Sequence, residues 1–165
     1  MFTTLNRIST KSLCDDSWKK LLANLNKTQA DDEPLNIATI LDSNGLTDAL
    51  LCLRTVEGKE KELRLYAVWC ARQVQHLMAD QRSLDALDVA ERFANGEATQ
   101  EELTNARISA DAVDATGFAA FAATWCSAAP ATNAAGAAAW YAAASDASGD
   151  MQNSQGARLR EICSH

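Results

Sequence analysis

Residues 118–145 read Phe118-Ala-Ala-Phe-Ala-Ala-Thr-Trp-Cys-Ser-Ala-Ala-Pro-Ala-Thr-Asn-Ala-Ala-Gly-Ala-Ala-Ala-Trp-Tyr-Ala-Ala-Ala-Ser145. Alanine makes up about half of the wider run from Ala106 to Ala147, where Phe118, Phe121, Trp125, Trp140 and Tyr141 are nearly the only large apolar side chains. Alanine has the highest intrinsic helix propensity, and its methyl lets helix axes approach toward the short end of the ~8–10 Å range. The tract therefore predicts packed helices. A disordered tail would be rich in charge, Pro, Ser and Gly and poor in recurring aromatics. An ice-binding helix would add a regular threonine repeat, which is absent. Phe118, Phe121 and Trp125 are spaced i, i+3, i+7 and predict one lined face of a helix ending near Ser127. Pro130 removes a helical hydrogen bond and pushes Ala129 out of the α region. A second helix is thus expected from Pro130 to Ala147, anchored by Trp140 and Tyr141. Gly117 and Gly136 are further candidate breaks.

Working toward the N-terminus, Thr99-Gln-Glu-Glu102 spells a capping box that opens a helix before the tract. Ser83 is placed to cap a helix over Leu84–Ala94, with Leu84, Leu87, Ala90 and Phe93 or Ala94 inward and Asn95-Gly96 closing it. The best-formed element is expected from Lys59 to Met78. Leu63, Ala67, Cys70, Val74 and Leu77 or Met78 give it a continuous inner stripe. Before it, Asp31-Asp-Glu-Pro34 reads as a helix start, with Asp32 as cap and Pro34 in the first turn. That helix would end at Asn44-Gly45, and a short one from Leu46 to Thr55 would follow. Trp18, Leu21, Leu22 and Leu25 mark a first helix capped by Asp15 or Asp16. Beyond the tract, Asp150 can start a last helix toward Ile162. The expected fold is an all-α, single-domain bundle of about seven or eight helices, with N-terminal helices in 1–103 and an alanine-rich part in 104–165.

At 165 residues the chain can bury a core, although much of its 47% hydrophobic fraction is alanine and fills little volume. A formal charge of −7 disfavours direct contact with nucleic acid or an anionic membrane and suits a basic partner. Cys14, Cys52, Cys70, Cys126 and Cys163 are odd in number and widely spaced. With no apolar leader in Met1–Ser12 and no uninterrupted apolar span, they predict a cytoplasmic chain with mostly buried, reduced thiols.

Several blocks together are similar to one family. They are Ser12-Leu-Cys-Asp-Asp-Ser-Trp18-Lys-Lys-Leu-Leu22, Ala30-Asp-Asp-Glu-Pro-Leu35, Ile40-Leu-Asp-Ser-Asn-Gly-Leu46, Leu63-Arg-Leu-Tyr-Ala-Val-Trp-Cys-Ala-Arg-Gln-Val-Gln-His-Leu-Met78, and Ala86 to Leu103 with its Asn95-Gly96-Glu-Ala-Thr-Gln-Glu-Glu-Leu103 junction. In this order, ahead of an alanine-rich tail, they resemble the Imm-five-like immunity proteins of bacteria and their phages. The resemblance implies a factor that binds and neutralises a toxin, with no catalytic residues to carry over. The tail departs from the family's steadier repeat of alanine with Trp, Arg and Asp, because Gly117, Pro130 and Gly136 interrupt it.

The residues themselves spell no catalytic signature. His76 lies six residues after Cys70, about 120° around a helix, which is poor spacing for one metal. Cys70 sits on the inner stripe and reads as a buried, inert thiol. Asp31, Asp32 and Glu33 are explained by a helix start better than by magnesium. The chain thus reads as a non-enzymatic binding protein without cofactor or metal, contacting a protein through Trp125, Trp140 and Tyr141 and exposed acidic residues. An alanine face also suits a symmetric helix–helix dimer. One alternative is a phage-encoded anti-defence protein that captures a small signalling ligand. It needs Arg64, Arg72, Arg82 and Arg92 to converge on a pocket. Others are a purely structural helical protein and, least favoured, a carboxylate hydrolase.

Overall fold

The computed structural model describes residues 1–9, 13–112, 118–127, 130–145 and 149–164, and for Phe118 and Ala120 the backbone alone. Among these residues the chain forms ten α-helices, two 3₁₀ turns and two short strands, so the expected all-α class holds with a higher helix count. They fall into two compact units, Met1–Lys59 with Ser154–His165, and Glu60–Asn153. The compositional change at 103/104 lies inside the second.

In the first unit, β1 (Phe2–Thr3) pairs antiparallel with β2 (Leu35–Asn36), Phe2 opposite Asn36 and Thr3 opposite Leu35. This pairing corrects the expected helix start at Asp32–Pro34. Extended backbone at Leu35–Asn36 delays the helix, and α3 (Ile37–Asn44) begins only where Asn36 accepts from the Ala38 N–H at 2.9 Å. Asp31 and Glu33 instead hold the Lys27 ammonium between them. Helix α1 (Leu5–Ser9), which the sequence reading passed over, buries Leu5 and Ile8. Helix α2 (Asp15–Asn24) takes Cys14, not Asp15 or Asp16, as its N-cap residue. Both carboxylates lie in its first turn, where the helix dipole favours them. Of the expected stripe only Leu21 is fully buried, and Trp18, Leu22 and Leu25 are half-buried. Gly45 has φ +97°, a conformation costly to any side chain, and separates α3 from α4 (Leu46–Cys52). The later part of α10 (Asp150–Cys163) belongs to this unit, where Asn36 Nδ2 donates to the Cys163 carbonyl at 3.2 Å and Arg160 pairs with Asp42.

The second unit is built on α5 (Glu60–Gln73), α6 (Gln81–Ala94), α7 (Gln100–Asp111), α8 (Phe118–Cys126) and α9 (Ala131–Ser145). The stripe Leu63, Ala67, Cys70 and Val74 is buried as expected, and Arg64, Tyr66, Val68 and Ala71 are buried beside it. Helix α5 is shorter than the expected Lys59–Met78. A 3₁₀ turn at Gln75–Leu77 resets the register, leaving Leu77 exposed and Met78 inside. Asp80, not Ser83, caps α6 by accepting from the Arg82 N–H at 2.9 Å, while Ser83 is buried. Helix α6 turns Ala86, Leu87 and Ala90 inward, with Leu84, Phe93 and Ala94 half-buried. The capping box of α7 is formed on both sides: Glu102 N–H donates to Thr99 Oγ1 at 3.1 Å, and Thr99 N–H to Glu102 Oε2 at 2.7 Å. Gly136 lies inside α9 without breaking it. Packing on both flanks outweighs the roughly 1 kcal/mol a mid-helix glycine costs. Gly117 and the expected helix end at Ala147 lie outside the described residues.

Candidate protein-docking surface

Helix α9 packs mainly against α5 and α8. It turns Ala131, Ala134, Ala135, Ala138, Ala139 and Ala142 inward, a stripe with helical spacing made of methyl groups alone. Helix α8 answers with Ala119, Ala122, Ala123 and Cys126. Methyl against methyl brings backbones together and leaves no room for a ring between the axes. The aromatics are therefore displaced to the outer side. Phe121 is 41% exposed and Trp140 59% exposed, with Tyr141 half-buried between them. Phe121 stacks on Tyr141 at 5.3 Å between centroids, and Trp140 meets Tyr141 edge to face at 4.9 Å. Ala137, Trp140, Tyr141 and Ala144 follow one another at i, i+3, i+4, i+7, so an alanine flanks the two rings on either side along one face of α9.

Of the three residues expected to make contact, Trp140 and Tyr141 thus join in one cluster, and Trp125 is half-buried on α8. Phe121 is the member that sequence reasoning missed. Its spacing with Phe118 and Trp125 marked a helix face, but not whether that face lay inside or outside. No acidic or basic residue lies between Asp114 and Asp146, so all 22 acidic and 15 basic residues fall outside the aromatic helices.

The four arginines of the ligand-capture alternative do not converge. Arg64 is 5% exposed, donates through Nη1 to the Cys126 carbonyl at 2.7 Å, and lies 5.2 Å from the Phe93 ring centre. Burial pulls its pKa down, but a guanidinium remains charged at neutral pH. It serves as a cap for the last turn of α8. Arg72 bridges Asp88 and Glu91 at 2.6 and 2.9 Å. Partial burial lowers its pKa, and the two carboxylates more than offset this. Arg82 pairs with Asp80, whose carboxyl it holds down at about 2. Arg92 reaches Glu102 at 3.1 Å. Two open grooves touch this set separately. One of about 370 Å³ has Lys61, Arg64, Phe93 and Gln100 in its walls. The other, of about 340 Å³, lies between α6 and α7 with Arg82, Asp85, Val89 and Asn105 in its walls.

Burial raises the Cys52 and Cys70 thiols to about 12, and that of Cys126 further. Cys14 is the exposed exception, its sulfur 3.4 Å from the Ser17 hydroxyl, which holds its pKa below the ordinary thiol value. His76 is exposed in the 3₁₀ turn after α5. Among the described residues no group of three or more His, Cys, Asp or Glu side chains is gathered for a metal, and no helix is long and apolar enough to cross a membrane. Compared with family models, curated proteins and solved structures, the chain matches none of them.

Proposed function

We propose that this is a non-enzymatic binding protein that acts by covering a surface of another protein. The observation that carries this reading is the cluster of Phe121, Trp140 and Tyr141, with Phe121 and Trp140 exposed, on two helices whose own sequence holds no charged residue. Exposed Trp and Tyr combine large apolar area with few rotatable bonds, which is why they dominate binding energy at protein contacts. The resemblance centred on Leu63–Leu103 supplies the biological form, an immunity-type factor of a bacterium or phage that neutralises a toxin or defence protein in the cytoplasm. The net charge of −7 steers it toward a basic partner such as a nuclease, while the aromatic face supplies short-range contact. No metal or cofactor takes part in this reading.

The test is capture of partners from the native cell by tagged protein, beside a native mass spectrum of the purified chain. The reading expects one stoichiometric protein, lost with Trp140→Ala, whose own activity falls when the purified chain is added back. A co-purifying small molecule, with protein capture indifferent to Trp140, would overturn it in favour of ligand capture.

A further inference from the structure

Resting on the reading of the chain as one that binds a basic protein, we propose that the open groove between α6 and α7 docks an amphipathic helix of that partner, an apolar stripe flanked by Lys and Arg. Charge selects the occupant. From Asp80 to Asp111 the chain holds eight acidic and three basic residues, so this hairpin carries −5 of the net −7. The fourteen acidic and twelve basic residues elsewhere nearly balance. Internal pairing leaves the excess in place. Arg82 donates twice to Asp80, at 3.0 and 2.8 Å, while Arg92 pairs with Glu102 and Arg107 with Asp111. Asp88 and Glu91 share the single charge of Arg72. Asp85, Glu97 and Glu101 are exposed and, among the described residues, pair with no cation.

The shape of the groove agrees. It encloses about 340 Å³ between two helices joined by five residues. Val89 and Ala106, the half-buried lining residues, form an apolar floor, and the exposed Asp85 and Glu102 stand on the rim, one on each helix. Ile108, 61% exposed, adds apolar area on the α7 side. An open groove leaves most of a small ligand in water, whereas a helix laid along it covers floor and rim together. Apolar side chains at i, i+3, i+4 and i+7 of that helix meet Val89 and Ala106. The Lys and Arg beside them lay their aliphatic stems over the edge of the floor and bring their charge to Asp85 on one side and to Glu101 and Glu102 on the other.

The probe is a synthetic amphipathic helical peptide of leucine and lysine, titrated into the isotope-labelled full chain and followed by NMR at low salt. Amide shifts should gather at Val89, Asn105, Ala106 and Ser109, and added salt should weaken binding. Asp85→Lys should raise the Kd about ten-fold, and Glu101→Lys should shift it in the same direction. Glu57→Lys changes the net charge equally in the other compact unit and should leave the Kd within about two-fold. A peptide with serine in place of leucine should lose the site, because the floor then has nothing apolar to bury. No binding, shifts centred on another surface, equal losses from Asp85→Lys and Glu57→Lys, or undiminished binding of the serine peptide would each overturn the docking. Failure of the underlying reading is distinguishable. A captured basic partner indifferent to Asp85→Lys sinks the groove alone, whereas a captured partner that is acidic sinks the reading of a basic partner. Circular dichroism and urea midpoints confirm that each variant is folded.

Discussion

Helices α5 and α9 pack against each other, yet they fill their buried faces in opposite ways. Helix α5 buries Leu63, Tyr66, Val68 and an arginine, whereas α9 buries alanine alone and puts its tryptophan in solvent. The difference follows from position. Helix α5 also meets α6, while α9 packs mainly against α5 and α8. Between three close axes only methyl groups fit. Large residues there are either absent or outside. Rings placed outside by packing are then available for binding, which links an architectural constraint to the proposed function.

Substitutions should separate the two strategies, and the largest effect belongs to α5. Leu63→Ala removes a fully buried side chain from α5 and should cost about 2–5 kcal/mol in urea unfolding. A value under about 1 kcal/mol would mean that α5 is not packed as described. Ala138→Leu adds bulk to the methyl stripe and should cost about 1–3 kcal/mol, although it increases apolar content. Stabilisation there would show that α9 has room to spare. Thr99→Ala removes one half of the capping box and should cost about 1 kcal/mol, read as a lowered urea midpoint and faster amide exchange at the start of α7.

The next effect appears only in acid. Arg82 depresses the Asp80 carboxyl from 3.8 to about 2 in the folded chain. A depressed folded pKa means that the stabilisation is present above pH 4 and disappears as pH falls from about 4 to about 2. The gap in urea midpoint between wild type and Asp80→Asn should therefore be constant at neutral pH and shrink through that window. A gap that widens in acid would reverse the assignment.

Much of this fold is legible in the residues. The Thr99–Glu102 box, the α5 stripe and the break at Pro130 are local signals, and each is written in adjacent side chains. What escaped reading depends on distant partners. Strand β2 exists because Phe2–Thr3 lies beside it, so Asp32–Pro34 looks like a helix start until that neighbour is known. Leu5 and Ile8, three residues apart, were the available sign of α1. In the alanine tract, periodicity marked a face through Phe121 and Trp125 but was silent on its side, and the side chain of Phe118 lies outside what is described. With most of the apolar groups alanine, and so equivalent in kind, inside and outside are settled only by what α9 packs against.

The central claim is that alanine, not the aromatic residues, forms the inside of the α8–α9 region. Urea unfolding of Ala138→Leu and Trp140→Ala, measured side by side, tests it most directly. The account predicts that the added bulk lowers the midpoint clearly, while removal of the indole leaves stability within about 0.5 kcal/mol of wild type. A tolerated leucine together with a destabilising loss of Trp140 would contradict it.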